Sequence, residues 1–492
     1  MVAHPFVYEL DTWVWLDELS RREGRPTDLG NVPEREWEAI AALGFDAIWL
    51  MGVWERSPAG VAIALENEAL VESFRRALPD FTPEDVVGSP YCVRDYAVDA
   101  RLGGPTGLAA ARTALDRHGL GLILDFVPNH VAPDHPWVEA HPEYLVHGSD
   151  DDLARDPASF VRAGGRVVAN GRDPYFPAWA DVVQLNAYSP ELRKAAIETL
   201  RSIAAQCDGV RCDMAMLVTN EVFARTWGDR AGELPETDYW PTVIPAVQAD
   251  HPGFLFVAEA YWGMEWELQQ QGFDHCYDKR LYDRLVHDFA QAVNDHLAAG
   301  RAYQERLVRF IENHDEPRAA ATFPPAKARA AAVVTLGQTG ARLVHDGQLE
   351  GRIVHVPVFL ARRPAEPVDT GLRAFYERLL GGLAADVFRE GEWVLAGRSG
   401  WEGNETWPQL VAWGWRGTSR ALCVVNFGEH VAEGRVSLPW DDLRGRTWQL
   451  ADAADGARYE RSGDDLRDGL YVALEPWGWH LFDLTPLGEE NG

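Results

Sequence analysis

The chain has 492 residues, 46% of them hydrophobic, enough to bury a large core divided over two or three domains. A formal charge of -30 and a pI near 4.8 argue against nucleic acid or an anionic membrane as partner, since both demand basic patches. A neutral ligand suits this acidic surface.

The first residues, Met1 to Leu16, lack a basic segment followed by a long apolar core and a small-residue cleavage site, and nowhere do about 18 uncharged apolar residues run together. Neither secretion nor membrane spanning is expected. Cys92, Cys207, Cys212, Cys276 and Cys423 are scattered, odd in number and without a CxxC pair, so they read as reduced thiols of a cytoplasmic protein.

In chain order, β-branched or aromatic runs predict strands at 7–11, 47–51, 122–126, 209–213, 254–259, 273–277, 307–312 and 342–345. Amphipathic stretches alternate with them and predict helices over 33–44, 107–119, 189–207, 279–300, 325–337 and 371–384, several opening with Pro or Ser and closing before Gly. Eight such units predict a closed parallel (β/α)8 (TIM) barrel, whose active face is built from the loops after the strands.

Two interruptions, at about 54–95 and 131–186, break this rhythm, and the second is rich in Pro, Asp, Gly and aromatics. It predicts an irregular inserted lobe over the barrel mouth. After residue 385 short strand-like runs separated by Gly, Asp and Asn predict a C-terminal antiparallel β-sandwich. The expected division is therefore a barrel of residues 1–130 and 187–385, a lobe of 131–186 and a β-domain of 386–492.

Three acids close or follow predicted strands: Asp213 after GVRC, Glu259 after FLFVA and Asp315 after LVRFIENH. A strand-end acid is ordinarily a turn former or solvated group. Several on one rim, beside the donors His130, Arg211 and His314, form a constellation suited to breaking glycosidic bonds. Alternate strand residues share a face, so Arg211 and Asp213 point the same way, and the guanidinium keeps the carboxyl ionised. Glu259, among apolar and aromatic neighbours, suits a proton donor.

These segments resemble the signature regions of the α-amylase family of glycoside hydrolases and transglycosidases, in order and spacing. Asp125, Val127, Asn129 and His130 match the first region; Gly209, Arg211 and Asp213 the second; Glu259 the third; Asn313, His314 and Asp315 the fourth. Gln184, Leu185 and Asn186 are similar to a weaker fifth region.

The resemblance implies a retaining mechanism with Asp213 as nucleophile, Glu259 as acid and base, and Asp315 holding ring hydroxyls. It further implies that His130 and His314 bind hydroxyls, Arg211 orients Asp213, Tyr91 stacks under the sugar, and Asp125 and Asn129 support the site. Asn129 is similar to the asparagine that binds calcium in many members, which makes Asn129 and Asp181 the candidate metal ligands; no organic cofactor is implied. The expected substrates are α-1,4-linked maltooligosaccharides or glycogen-type glucans. A transglycosidase using a sugar or sugar phosphate is the alternative, and a non-catalytic glucan-binding protein is a remote one.

Many members carry Lys-His three and four residues after the nucleophile, where this chain has Met216 and Leu217. That departure suggests an apolar leaving-group subsite. Among the 20 tryptophans, Trp54, Trp137 and Trp262 follow strands and are expected to line the cleft. Trp393, Trp401, Trp407, Trp413 and Trp415 in the tail read either as a glucan-docking surface or, more readily, as interdomain packing.

Overall fold

A computed structural model describes residues 2–487. Eight parallel strands, β1 (Phe6–Asp11), β2 (Ala47–Met51), β3 (Gly121–Phe126), β4 (Gly209–Cys212), β5 (Leu255–Ala258), β6 (His275–Tyr277), β7 (Leu307–Arg309) and β8 (Ala341–His345), close into a barrel. Each pairs with its neighbour in sequence, and β1 closes the ring against β8.

The period-two pattern explains why this sheet closes. In β2, Ala47, Trp49 and Met51 point inward to meet Val7, Ile123, Val257, Tyr277, Val308 and Leu343, while Ile48 and Leu50 face the surrounding helices. Burial on both faces is the condition of a parallel sheet.

Five of the predicted helices form as single pieces, over Glu34–Ala42, Gly104–Arg117, Pro190–Ala204, Pro325–Leu336 and Thr370–Gly382. The helix expected over 279–300 instead breaks into Lys279–His287 and Ala290–Leu297, because Asp288 and Phe289 adopt extended backbone. The break turns the second piece toward the C-terminal sheet, where Asn294 donates to the Leu410 carbonyl at 3.1 Å.

The lobe after β3 is more regular than its composition predicts. Strands His130–Val131, Trp179–Gln184, Arg166–Gly171 and Phe160–Ala163 form a four-stranded antiparallel sheet over a core of Val131, Val168, Val183 and Leu185. Its outer hairpin turns on Gly164 and Gly165, both at positive φ (54 and 73), the two-residue turn that matches strand twist. The earlier insertion holds two helices, Pro58–Glu66 and Glu68–Ala77, and a short antiparallel pair, Trp54–Arg56 with Val93–Val98.

The C-terminal region comprises a six-stranded and a three-stranded antiparallel sheet around a shared apolar core. Trp413 and Trp415, both fully buried, donate their indole N–H groups to one barrel carbonyl, that of Gly337, at 2.7 and 2.9 Å. Of the tail tryptophans, Trp393 is also buried, whereas Trp401 is 42% exposed. The five cysteines are buried and unpaired. Among the described residues no helix is long and apolar enough to cross a membrane.

Candidate active site

The C-terminal ends of the strands gather the predicted acids on one rim. Arg211, in β4, is 1% exposed and ties them together: Nη1 lies 2.7 Å from Asp213 Oδ1, while Nη2 lies 2.9 Å from Glu259 Oε2 and 4.0 Å from Asp315 Oδ2. As the strand periodicity predicts, Arg211 and Asp213 share a face. The guanidinium is sandwiched by aromatic rings, with its carbon 4.9 Å from the centroid of Tyr91 and 5.4 Å from that of Trp49.

The carboxyls have divergent electrostatics. Burial, together with the negative charges of Asp213 and Asp315, raises Glu259 to about 8 despite the opposing pull of Arg211. Burial alone would raise Asp315 too, but the charge and hydrogen bond of His314 outweigh it and hold that carboxyl down at about 2. One acid therefore keeps its proton at neutral pH while its neighbour is ionised, the arrangement that separates a proton donor from a charge stabiliser.

The turn after β4 completes this pattern. Met214 adopts φ 41, a left-handed conformation unusual for a side chain of its size, and its N–H donates to Glu259 Oε2 at 2.5 Å. The following N–H, of Ala215, donates to the Glu259 carbonyl at 3.1 Å.

Tyr91, His130, Asp213, Met214, Glu259, Tyr261 and Asp315 line a cavity of about 330 Å³, closed on other sides by Ser89, Trp179, Asp181, Val182 and Phe359. His314 stands behind it, its Nε2 3.0 Å from Asp315 Oδ2 and 2.6 Å from the Tyr91 hydroxyl. His130 lies edge-on to Trp179, ring centroids 5.3 Å apart, and burial lowers its pKa so that it is neutral at pH 7.

Other expected site residues occupy different places. Asp125 is fully buried and does not line the cavity; it accepts from Trp49 Nε1 (3.1 Å) and Gly52 N (2.9 Å), bracing β2 against β3. Asn129 clamps the lobe to the barrel through Gln184, whose amide donates to both the Asn129 carbonyl and its Oδ1 at 2.8 and 2.9 Å.

The calcium assignment does not fit. The Asn129 side-chain oxygen is already engaged by Gln184, Asp181 lines the sugar-sized cavity instead, and among the described residues no three His, Cys, Asp or Glu side chains converge to hold a metal. Met216 and Leu217 are 0% and 2% exposed, so the short helical turn Ala215–Val218 buries them and the apolar wall of the cavity comes from Met214 instead. Trp54 is likewise buried, donating to the Asp125 carbonyl, and Trp137 packs on Tyr144 inside the lobe. Trp262 remains at the rim, 38% exposed, left-handed at φ 59 and edge-on to Tyr175 with ring centroids 4.8 Å apart.

Three contributors, Met214, Trp179 and Glu9, carry no signal of their place in the sequence motifs. Trp179 lies in the lobe, where only the fold brings it to the cavity, and Glu9, fully buried in β1, binds His314 Nδ1. The one signal for Glu9 is an acid inside the apolar run FVYEL.

The whole chain superposes on a maltogenic α-amylase from Thermotoga neapolitana with a TM-score of 0.68 and 18% identity, covering 99% of each chain. The chain has the α-amylase fold. No family model matches it. In sequence it is similar to the α-1,4-glucan:maltose-1-phosphate maltosyltransferase of Pseudomonas aeruginosa, 24% identical over 273 residues, covering 54% of this chain and 35% of that protein. It is also similar to the intracellular maltogenic amylase of Bacillus subtilis, 24% identical over 276 residues, covering 52% of this chain and 42% of that protein. The chain thus spans about a third of the length of the maltosyltransferase it matches. Both hydrolases and transferases stand among the relatives of this amylase-fold chain.

Proposed function

We propose that this protein cleaves or transfers α-glucosidic linkages in maltooligosaccharides or glycogen-type glucans by a retaining mechanism. The observation that carries the reading is the single buried guanidinium of Arg211 meeting Asp213 on one arm and a proton-holding Glu259 on the other. Two carboxyls gripped by the two arms of one guanidinium are neighbours, which suits the direct attack on the sugar that retaining enzymes make across about 5–5.5 Å.

Asp213 Oδ attacks the anomeric carbon while Glu259 gives its proton to the departing glycosidic oxygen, leaving a covalent glycosyl-enzyme. Glu259, now a carboxylate, takes a proton from water or an acceptor hydroxyl, which displaces Asp213. Asp315 and His130 hold ring hydroxyls, Tyr91 stacks against the ring, and His314, outside the cavity lining with both ring nitrogens engaged, acts through Asp315 and Tyr91 instead of touching the sugar as expected. Acid, base and nucleophile are all side chains, so the reaction needs no organic cofactor. The α-glucan substrate class comes from the relatives.

Among the described residues, no Lys or Arg lines the cavity. Lys279, in the helix after β6, is engaged by Asp283 and Glu316 at 2.5 and 3.3 Å. A phosphate leaving group would meet carboxylates without a compensating cation, so an uncharged sugar fits better. Transfer to a sugar hydroxyl is the second reading, favoured by the maltosyltransferase relatives and by the apolar Met214 and Tyr261 beside Glu259.

The division into barrel (1–130 and 187–385), lobe (131–186) and β-domain (386–492) belongs to this reading, as does a cytoplasmic location, supported by five unpaired thiols. The test is incubation with a 5-fluoroglucosyl donor followed by peptide mass mapping, with label expected on Asp213. Parallel incubation with maltoheptaose and maltose 1-phosphate, products separated by chromatography, distinguishes shortening from lengthening and neutral from charged donors. Label elsewhere, or no turnover of any α-glucan, sinks the reading.

A further inference from the structure

Glu9 is an anomaly in a barrel strand. It is fully buried, Oε1 binds His314 Nδ1, and Oε2 has no hydrogen-bond partner. A buried carboxylate with an orphaned oxygen destabilises a fold unless its charge is used, and an apolar or amide substitute of similar shape is usually neutral or better. The ring that Glu9 grips faces carboxylates at both nitrogens, Glu9 on one side and Asp315 Oδ2 on the other at 3.0 Å.

We propose that Glu9 is a positioning residue: it fixes the His314 ring so that the opposite nitrogen aims the Asp315 carboxylate and the Tyr91 hydroxyl into the cavity. This rests on the retaining-glycosidase reading above. An imidazole can donate to two carboxylates at once only as the cation. Without Glu9 the ring loses that requirement; as a neutral base its Nε2 accepts from Tyr91 and no longer donates to Asp315.

Besides Asp315 and Tyr91, Glu9 meets the field of His345, which pairs across β1 and β8, and of Tyr277; His314 lies in the field of Asp125 and of Asp11 at the end of β1; Asp315 also feels Arg211, His355, Glu259, Glu316 and Tyr261. His345 is itself engaged by Arg318 Nη1 at 2.9 Å and Glu312 at 3.4 Å, and His355 donates to the His314 carbonyl at 2.8 Å. Glu9 and Asp315 are the acids in direct contact with the ring. Together they push the His314 pKa well above its ordinary value against the effect of burial.

The experiment compares the wild type with Glu9→Gln and Glu9→Asp. Glu9→Gln keeps the shape but removes the charge, so His314 loses its proton at lower pH. The expected result is an unchanged or raised melting temperature, with kcat/KM reduced about tenfold or more at pH 8 and less than about threefold at pH 5.5. Glu9→Asp, which keeps the charge, restores part of the loss at pH 8. Imidazole 15N shifts of His314 supply a readout independent of turnover: both nitrogens carry protons at pH 8 in the wild type, and one does in Glu9→Gln. A neutral His314 in the wild type at pH 8, or a Glu9→Gln protein whose pH profile matches the wild type, overturns the inference. An inactive wild type with a doubly protonated His314 would refute the glycosidase reading while leaving the Glu9–His314 coupling intact.

Discussion

The Met214 N–H reaches the Glu259 carboxyl at 2.5 Å because the Met214 backbone is left-handed, at φ 41. Strain of this kind, about 1–3 kcal/mol, persists where the surroundings enforce it. It ties the turn after β4 to the acid after β5, so whatever moves one carboxyl moves the other.

Met214→Gly, which adopts this conformation freely, should keep the turn and lose only what the missing side chain contributed to the cavity wall, so it retains more stability and kcat than a branched replacement. Met214→Val, whose branched side chain resists it, should destabilise by about 2 kcal/mol and lower kcat. Urea titrations and steady-state rates check both. Equal behaviour of the two variants would remove the backbone from the account.

Glu259 should dominate the pH behaviour. Its folded pKa, about 8, lies above the ordinary 4.5, so it binds its proton more tightly in the folded state; that contribution is complete below pH 4.5 and is lost as pH rises through 8. Glu259→Gln should therefore melt higher than wild type at pH 9, with the difference shrinking toward pH 5, while losing about 10²–10⁴-fold in kcat. The wild-type kcat/KM should fall on an alkaline limb near pH 8. Asp315 acts oppositely: its pKa of about 2 adds stability above pH 3.8 that disappears as pH falls toward 2.

Arg211→Lys should be severe although the charge is kept. A single ammonium cannot meet Asp213 and Glu259 on separate arms, nor lie flat against Tyr91. A loss of about 3–5 kcal/mol, with activity down in proportion to misplaced carboxyls, is expected from denaturant curves on this buried cluster. Near-wild-type stability would mean that the acids do not depend on this partner.

Trp262→Ala and Tyr175→Ala test the rim. The rings are 38% and 57% exposed, and a pyranose face stacks readily on either. Each change should raise KM for maltoheptaose about tenfold or less while leaving hydrolysis of a short activated glucoside nearly untouched. An equal effect on both substrates would place these rings outside the sugar-binding track.

The barrel was readable because its information is local: each of the eight strands is a short apolar run, and the acids that close them are adjacent in sequence to that run. Asp213, Glu259 and Asp315 therefore emerge together at one rim. Side-chain destinations were less readable. Met216 and Leu217 stand three and four residues after Asp213, yet a turn of tight helix carries them inward, a consequence of Met214's backbone that no residue pattern announces. Asn129 presents the same amide to a metal or to Gln184, and only the pairing of His130 with Gln184 across the lobe decides between them. Glu9 is 305 residues from His314, a partnership created by closure of β1 onto the far side of the ring.

The paired indoles of Trp413 and Trp415 on the Gly337 carbonyl give the tail a mechanical role. Their rings cap the helix that underlies β8, so detaching the sandwich would strip the carbonyl of Gly337, the residue after that helix's last turn, of two donors and wet the alanine-rich surface beneath it. Barrel and tail then share one melting transition: a calorimeter should record a single endotherm, and a protease that severs the joint should unravel both halves rather than release a folded barrel.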